Sequence, residues 1–246
     1  MKALAFRDFV EKLRAEGKLV ELKKPASLNL ELAGVLAALD GKPVYTEKVK
    51  ETPGARVAGN LFSTRELICD YFGIKNDELM PKLIRALNNP SKPSQVPVGE
   101  APVLEVAEAE VDLGKLPIPL HAPKDGGPYF SSAIVIVADK ELGQNCSFHR
   151  MMVIGKDTVA ARILKRHLDE FISRAGGELP VAVVVGAPIN LLLAAATSVE
   201  IGKDEMEIAA SLAPLRAVRL QNGNDLGAMN VEAFLGRLKQ QIIDKK

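Results

Sequence analysis

Two cysteines in 246 residues, Cys69 and Cys146, are too few and too far apart for a disulfide scaffold or a zinc ribbon. Lone thiols fit a reducing cytoplasm, which is the expected compartment. An excess of either charge is missing as well: 32 Lys+Arg stand against 31 Asp+Glu, a net charge of +1. That balance leaves no broad electrostatic footprint for nucleic acid or an anionic membrane, so neither is expected as a partner. The opening segment "MKALAFRDFVEKLRAEGK" carries charges throughout and lacks the apolar core of a secretory leader. Neither G-x-G-x-x-G nor G-x-x-x-x-G-K-[ST] occurs after a strand, which removes the usual dinucleotide and P-loop readings. One uncharged run, 179–199, is long enough to resemble a membrane helix. Gly186, Pro188 and Asn190 interrupt it, and Glu178 and Glu200 flank it with no basic neighbour. It reads instead as a buried strand at 181–185, a turn, and a helix from about Pro188.

What is present is ordinary in amount and distinctive in order. Hydrophobic residues make up 47% and charged residues 26%, enough for one large soluble domain or two small ones. Phe6, Phe9, Val10 and Leu13 recur at helical spacing before Gly17. A strand at 18–24, a helix at about 28–39, strands near Val44 and at 55–59, and helices at 64–72 and 77–88 follow. This mixture predicts a small N-terminal α/β domain over 1–100. "NNPSKPSQVPVGEAP" (88–102) holds four prolines and reads as a linker or extended crossing. Beyond it, "VLEVAEAEV", "SSAIVIVAD", "CSFHRMMVIG", "ELPVAVVVGA" and "LRAVRLQ" are short, β-rich and separated by turns. They predict a sheet or barrel-like domain over 101–229. From Asn230, a plausible N-cap, Val231, Phe234, Leu235, Leu238 and Ile242 share one face, so 230–246 is expected as an amphipathic helix. The fold class is therefore α+β.

Several stretches can carry chemistry, and each has a bland alternative. "LGQNCSFHRMMVIG" (142–155) sets Asn145, Ser147, His149 and Arg150 ahead of an apolar run, more polarity than a strand on a core needs. Of the histidines, His121, His149 and His167, each is on its own most simply a surface residue. "KDGGPYFSS" (124–132) is either a plain turn or a close backbone approach to a planar ligand. "VVVGAPIN" ends a strand in a glycine turn before a helix, whose free amides favour an anion. "DEMEIAAS" (204–211) opens a helix with Asp204, Glu205 and Glu207; these carboxylates offset the helix dipole or bind a hard cation.

Taken in order, "LPIPLHAPKDGGPYFSSAIVIVADKELGQNCSFHRMMVIG", the later His167, "PVAVVVGAP" and "DEMEIAAS" resemble the UbiD-type decarboxylase family, which includes polyprenyl-hydroxybenzoate and ferulic acid decarboxylases. The likeness runs from the N-terminal helix to about residue 225. It implies a flavin-binding split-β-barrel-like domain holding prenylated FMN, whose phosphate is clamped by Mn2+, with K+ nearby. Carried onto this chain, the metal ligands are Asn145, His167 and Glu205; two oxygen donors and one imidazole suit manganese. Ser147, Phe148, Arg166, Ala195 and Ser198 match positions that line the cofactor. Arg150 matches the catalytic arginine that faces flavin and substrate carboxylate, where a planar cation grips an anion bidentately. Strict strand alternation sets Asn145 and Arg150 on opposite faces, so a bulge or irregular end is expected between them.

The departures bear on activity. Members of the family continue through an E-G-P-x-x-E segment, whose two glutamates work with the arginine and return a proton to carbon. That segment does not occur in this sequence. Ala195 and Ser198 also stand where relatives often carry serine and proline. Three readings stay open: a carboxy-lyase for an aromatic or α,β-unsaturated acid, its missing acid supplied by another chain, in a homo-oligomer or with a complementary subunit, or by an unrecognised residue of this one; a flavin-binding accessory subunit without turnover; and a relative that keeps only the fold.

Overall fold

The computed structural model describes residues 4–108 and 110–218. The chain opens with α1 (Phe6–Ala15), which buries Phe9, Val10 and Leu13, one stripe of an amphipathic helix. β1 (Val20–Glu21), α2 (Glu31–Ala38), β2 (Val44–Thr46) and β3 (Val57–Gly59) follow. β1 pairs parallel to β2 and β2 antiparallel to β3. A Cβ on Gly59 would come within 2.4 Å of Leu36 Cδ2, so a larger residue there would require the Leu36 side chain of α2 to shift. Asn60 next to it takes φ 56° and donates to the Leu36 and Leu39 carbonyls at the end of α2 (2.8 and 3.1 Å). α3 (Arg65–Phe72) starts at Thr64, whose hydroxyl accepts from Leu67 N, and stops at Gly73 in the left-handed region. α4 (Leu79–Asn88) follows a short 3-10 turn.

The proline-rich 88–102 stretch contains β4 (Ser94–Val96). Then come β5 (Tyr129–Phe130), β6 (Ile134–Asp139), β7 (Gly143–Phe148), β8 (Met151–Val153), β9 (Val159–Ala161), α5 (His167–Arg174), β10 (Ala182–Val184), α6 (Ile189–Ala195), α7 (Glu205–Leu212) and β11 (Arg216–Val218). They form an antiparallel sheet β10-β6-β7, a second antiparallel sheet β5-β8-β9, and a parallel pair β4-β11. The class is mixed α+β.

β6 explains how the core is arranged. Ile134 through Val137 are all buried, so both faces of this strand are covered. Ile134 and Ile136 join a large cluster with α1, α3, α6 and α7, while Val135 and Val137 join a second one with Phe130, Met151 and α5. The larger cluster draws residues from both sides of the 88–102 stretch.

Three local expectations need correction. No strand forms over the described residues of 103–111; Pro102–Leu104 make a 3-10 turn, and Val106 is 74% exposed, so its alternation meets no sheet. The 18–24 strand shortens to Val20–Glu21. The stretch 146–155 is two strands in different sheets, separated at His149 and Arg150. The 179–199 run folds as β10, a turn and α6, and among the described residues no helix is long and apolar enough to cross a membrane. The helix expected from Asn230 lies outside the described residues.

Candidate functional site

β7 is an edge strand, so some of its amides have no strand partner. Glu205, the first residue of α7, uses one of them: Cys146 N donates to Glu205 Oε2 at 2.9 Å. Asn145 Nδ2 donates to Glu205 Oε1 at 3.1 Å and lies 3.5 Å from His167 Nδ1, which opens α5. Side chains 22 and 60 residues away thus meet Asn145 at one point. Two helix starts make this possible. Asp204 caps α7 by accepting from Met206 N at 2.7 Å, which fixes Glu205 in the first turn. Asn190, fully buried in α6, donates to the Ala209 and Ala213 carbonyls and ties α7 to α6.

The electrostatics are unusual for a core. Asn145 and Glu205 are buried at 4% and 2% exposure. Burial pushes the Glu205 carboxyl up to about 7, although the Cys146 amide and the Asn145 side chain favour its charged form. No lysine or arginine forms an ion pair with Glu205 among the described residues. Burial and the neighbouring Glu205 also raise the Cys146 thiol, which makes it a poor nucleophile. Among the described residues no group of three or more His, Cys, Asp or Glu side chains gathers as a metal site. A cation here therefore needs the Asn145 amide oxygen alongside Glu205 and His167.

The other expected site residues spread outward from this point. Ser147 is half-buried, its Oγ 3.2 Å from Asn145 Oδ1 and 3.0 Å from His149 Nε2. Phe148 ends β7 at 38% exposure. Arg166 is exposed immediately before His167. Ala195 closes α6 inside the larger core cluster, and Ser198 is exposed in the loop that follows. Arg150 is exposed and lies over the Tyr129 ring, 5.1 Å from its centroid. No described hydrogen bond or ion pair joins Arg150 to Asn145, His167 or Glu205. Tyr129 in turn lines a largely apolar cavity of about 700 Å³ between the α2–β3 region and the 116–133 and 185–192 segments. None of the expected site residues lines that cavity; His121 does.

One participant escaped sequence reasoning: the Cys146 backbone amide has no side-chain code, so nothing in the sequence could reveal it. His149, singled out in the polar run but read on its own as a surface residue, joins the cluster; Asn145, Ser147 and His149 are spaced by two, which places them on one side of an extended chain.

The sequence and the fold match a known class. The model of the 3-octaprenyl-4-hydroxybenzoate carboxy-lyase Rift-related domain (UbiD) covers residues 94–235, and that of the corresponding N-terminal domain covers residues 10–87. The chain belongs to the UbiD family. Anhydromevalonate phosphate decarboxylase of Methanosarcina mazei is 37% identical over 226 residues, 89% of this chain and 51% of that protein. Pyrrole-2-carboxylic acid decarboxylase of Pseudomonas aeruginosa is 27% identical over 95% of this chain and 52% of its own length. The chain thus spans about half the length of these curated relatives. Among solved structures, an evolved dimeric form of the UbiD-class enzyme HmfF from Pelotomaculum thermopropionicum, in complex with prFMN, superposes with a TM-score of 0.85. It is 33% identical and is matched over 92% of this chain and 55% of its own.

Proposed function

We propose that this chain is the prenylated-FMN-binding part of a UbiD-type carboxy-lyase acting on an aromatic or α,β-unsaturated acid. The observation that supports this reading is the meeting of Asn145, His167 and Glu205 at the free edge of β7. An amide oxygen, an imidazole and a carboxylate form a donor set that suits Mn2+, and a buried carboxylate without a cationic partner suits any divalent ion. In this reading the three residues would hold Mn2+, which would supply positive charge for the cofactor phosphate. Ser147, Phe148, Arg166, Ala195 and Ser198 border the cofactor, with K+ close by. When bound, prenylated FMN supplies the electron sink that lets carbon dioxide leave. Arg150 meets the substrate carboxylate, with the Tyr129 ring beneath it limiting where the guanidinium can go.

The chain carries no E-G-P-x-x-E segment. Loss of a positioned general acid costs roughly 10²–10⁴-fold in rate. Turnover in this reading takes a carboxylic acid that these 246 residues do not supply through that segment. A second reading keeps the same pocket in a prenylated-FMN-binding accessory subunit that does not turn over.

The test is direct. The chain is purified from cells that make prenylated FMN, and its absorbance, metal content and carbon dioxide release are measured. Bound flavin with near-stoichiometric manganese is expected; neither flavin nor metal would sink both readings. Flavin without carbon dioxide release selects the accessory subunit. Arg150→Ala is expected to spare loading while weakening acid binding.

A further inference from the structure

We infer that Arg162 works beside Arg150 as a specificity-determining residue, so that the acid this chain takes carries a second anionic group. The sheet β5-β8-β9 shows why the two guanidinium groups belong together. Its inner face is apolar: Phe130, Met151, Val153, Val159 and Ala161 pack into the second core cluster, as does Ile163 just beyond β9. The alternation of an extended chain then turns Tyr129, Met152, Ala160 and Arg162 to the outer face. Arg150 joins them there, its guanidinium 5.1 Å from the Tyr129 ring centroid.

The pairing register sets how close the two arginines are. Met151 stands opposite Ala161, so Arg150 stands opposite Arg162, and Arg162 N donates to the Arg150 carbonyl at 3.3 Å. Directly opposed residues of antiparallel strands have Cβ atoms roughly 4.5–5.5 Å apart, and like charges in that relation repel. Both arginines are exposed. Among the described residues neither forms an ion pair with a carboxylate. Two carboxylates near in sequence are engaged elsewhere. Asp125 accepts from Ala122 N at 3.0 Å, and Asp157 accepts from Thr158 Oγ1 at 2.8 Å in the turn at the other end of the β8–β9 hairpin. An anion that meets both guanidinium groups relieves the repulsion.

The outer face also indicates what kind of anion fits. The Tyr129 ring confines the Arg150 guanidinium on one side, so that its planar fork is held for one carboxylate. Arg162 offers a second fork of the same kind from the neighbouring strand. Met152 and Ala160, the opposed pair two residues further along the hairpin, make a half-buried apolar floor beside them. Two cationic forks next to an apolar floor suit a dianion with an unsaturated or aromatic body, either a dicarboxylate or an acid that also bears phosphate. That this dianion is the acid to be decarboxylated rests on the reading proposed above; the paired-arginine site itself rests on the register.

Calorimetric titration tests this on the full chain, purified from cells that make prenylated FMN and kept at low salt, after its flavin absorbance has been recorded. Three probes share one unsaturated skeleton: crotonate has a single charge, fumarate adds a carboxylate, and 3-phosphonoacrylate adds a phosphonate in place of phosphate. Fumarate or 3-phosphonoacrylate is expected to bind at least about ten-fold more tightly than crotonate, the gain from one further charge-assisted contact. Whichever of the two binds better identifies the second group. Arg162→Gln is expected to abolish the preference and leave crotonate binding intact. Lys156→Gln removes a positive charge from the turn at the other end of the hairpin and should keep the preference. Without ligand, Arg162→Gln should melt no lower than wild type, because it removes a repulsion and, among the described contacts, no side-chain bond. The inference is overturned if wild type binds the three probes equally or binds none of them. A preference that survives Arg162→Gln, one that disappears in Lys156→Gln, or a lower melting temperature in Arg162→Gln overturns it as well. The expected pattern in a chain that carries no flavin leaves the paired site standing and retires the carboxy-lyase reading. A flavin-loaded chain without the preference does the reverse.

Discussion

Asp70 and Glu205 are both carboxylates set into the body of the protein, and the chain treats them in opposite ways. Asp70 lies between two lysines, 2.6 Å from Lys12 Nζ and 2.7 Å from Lys18 Nζ. Partial burial works against its charged form, but the two lysines outweigh it and hold the carboxyl below its ordinary value. Glu205 is more deeply buried and receives neutral donors, the Cys146 amide, its own amide and the Asn145 side chain, and its carboxyl rises to about 7. Among the described residues no lysine or arginine forms an ion pair with Glu205. Asp70 is thus self-sufficient, a joint between α1 and α3. Glu205 carries an unbalanced charge in a dry place, which costs stability unless a cation or a proton balances it.

The sharpest way to break this contrast is to remove the Glu205 charge. In the reading above, Glu205→Ala abolishes Mn2+ and flavin retention, and Asn145→Ala weakens it strongly; metal analysis of the purified protein checks both. Unchanged loading in either variant refutes the ligand assignment. Glu205→Gln separates the two roles of the carboxyl. It is expected to be at least as stable as wild type when metal-free at pH 8, because the desolvated charge is gone, yet to gain nothing from added Mn2+. Thermal denaturation with and without Mn2+ reads both outcomes.

The next effect in size is on pH dependence. The folded-state value for Glu205, about 7, lies above its ordinary value of 4.5. A raised carboxyl binds its proton more tightly in the folded state, so its contribution is fully present below about pH 4.5 and is lost as pH climbs to about 7. At roughly 1.4 kcal/mol per pH unit, the metal-free protein should lose on the order of 3 kcal/mol across that window. Saturating Mn2+ or Glu205→Gln should flatten the profile. Urea denaturation at a series of pH values checks it, and a slope that persists in Glu205→Gln would assign the effect to other groups.

How much of this could be read from the sequence follows the same division. Helices such as α1 and α4 were legible because Phe9, Val10 and Leu13, or Leu79 and Ala86, repeat on one face. β6 was legible as an apolar run, though not that its alternate residues serve two separate clusters. At the site, residue spacing showed only that 142–155 was too polar for a plain strand. Asn145, His167 and Glu205 were named through family order, since nothing local signals a meeting across 22 and 60 residues. The break at His149 and Arg150 was anticipated from strand period as a need, without its form: the chain leaves one sheet and enters another. The Cys146 amide and the 700 Å³ cavity depend on packing alone.

The smallest expected effect is at Asp70, and its sign is the reverse of that at Glu205. Asp70→Asn keeps the shape and removes the charge that Lys12 and Lys18 share. Lys18 is 49% exposed, so solvent screens its part; Lys12, which also donates to the Asp70 carbonyl at 2.8 Å, retains one of its bonds. The loss should be about 1 kcal/mol or less at pH 7. Because the folded-state Asp70 value is depressed from 3.8, the stabilisation is present above that value and fades as pH falls through the lower, folded one. Wild type and Asp70→Asn should therefore differ at neutral pH, converge in acid, and converge again in high salt. Mn2+ should leave that difference unchanged. A response of Asp70→Asn to Mn2+ unlike that of wild type would mean that the two carboxylates are coupled, and that the contrast between them is not local.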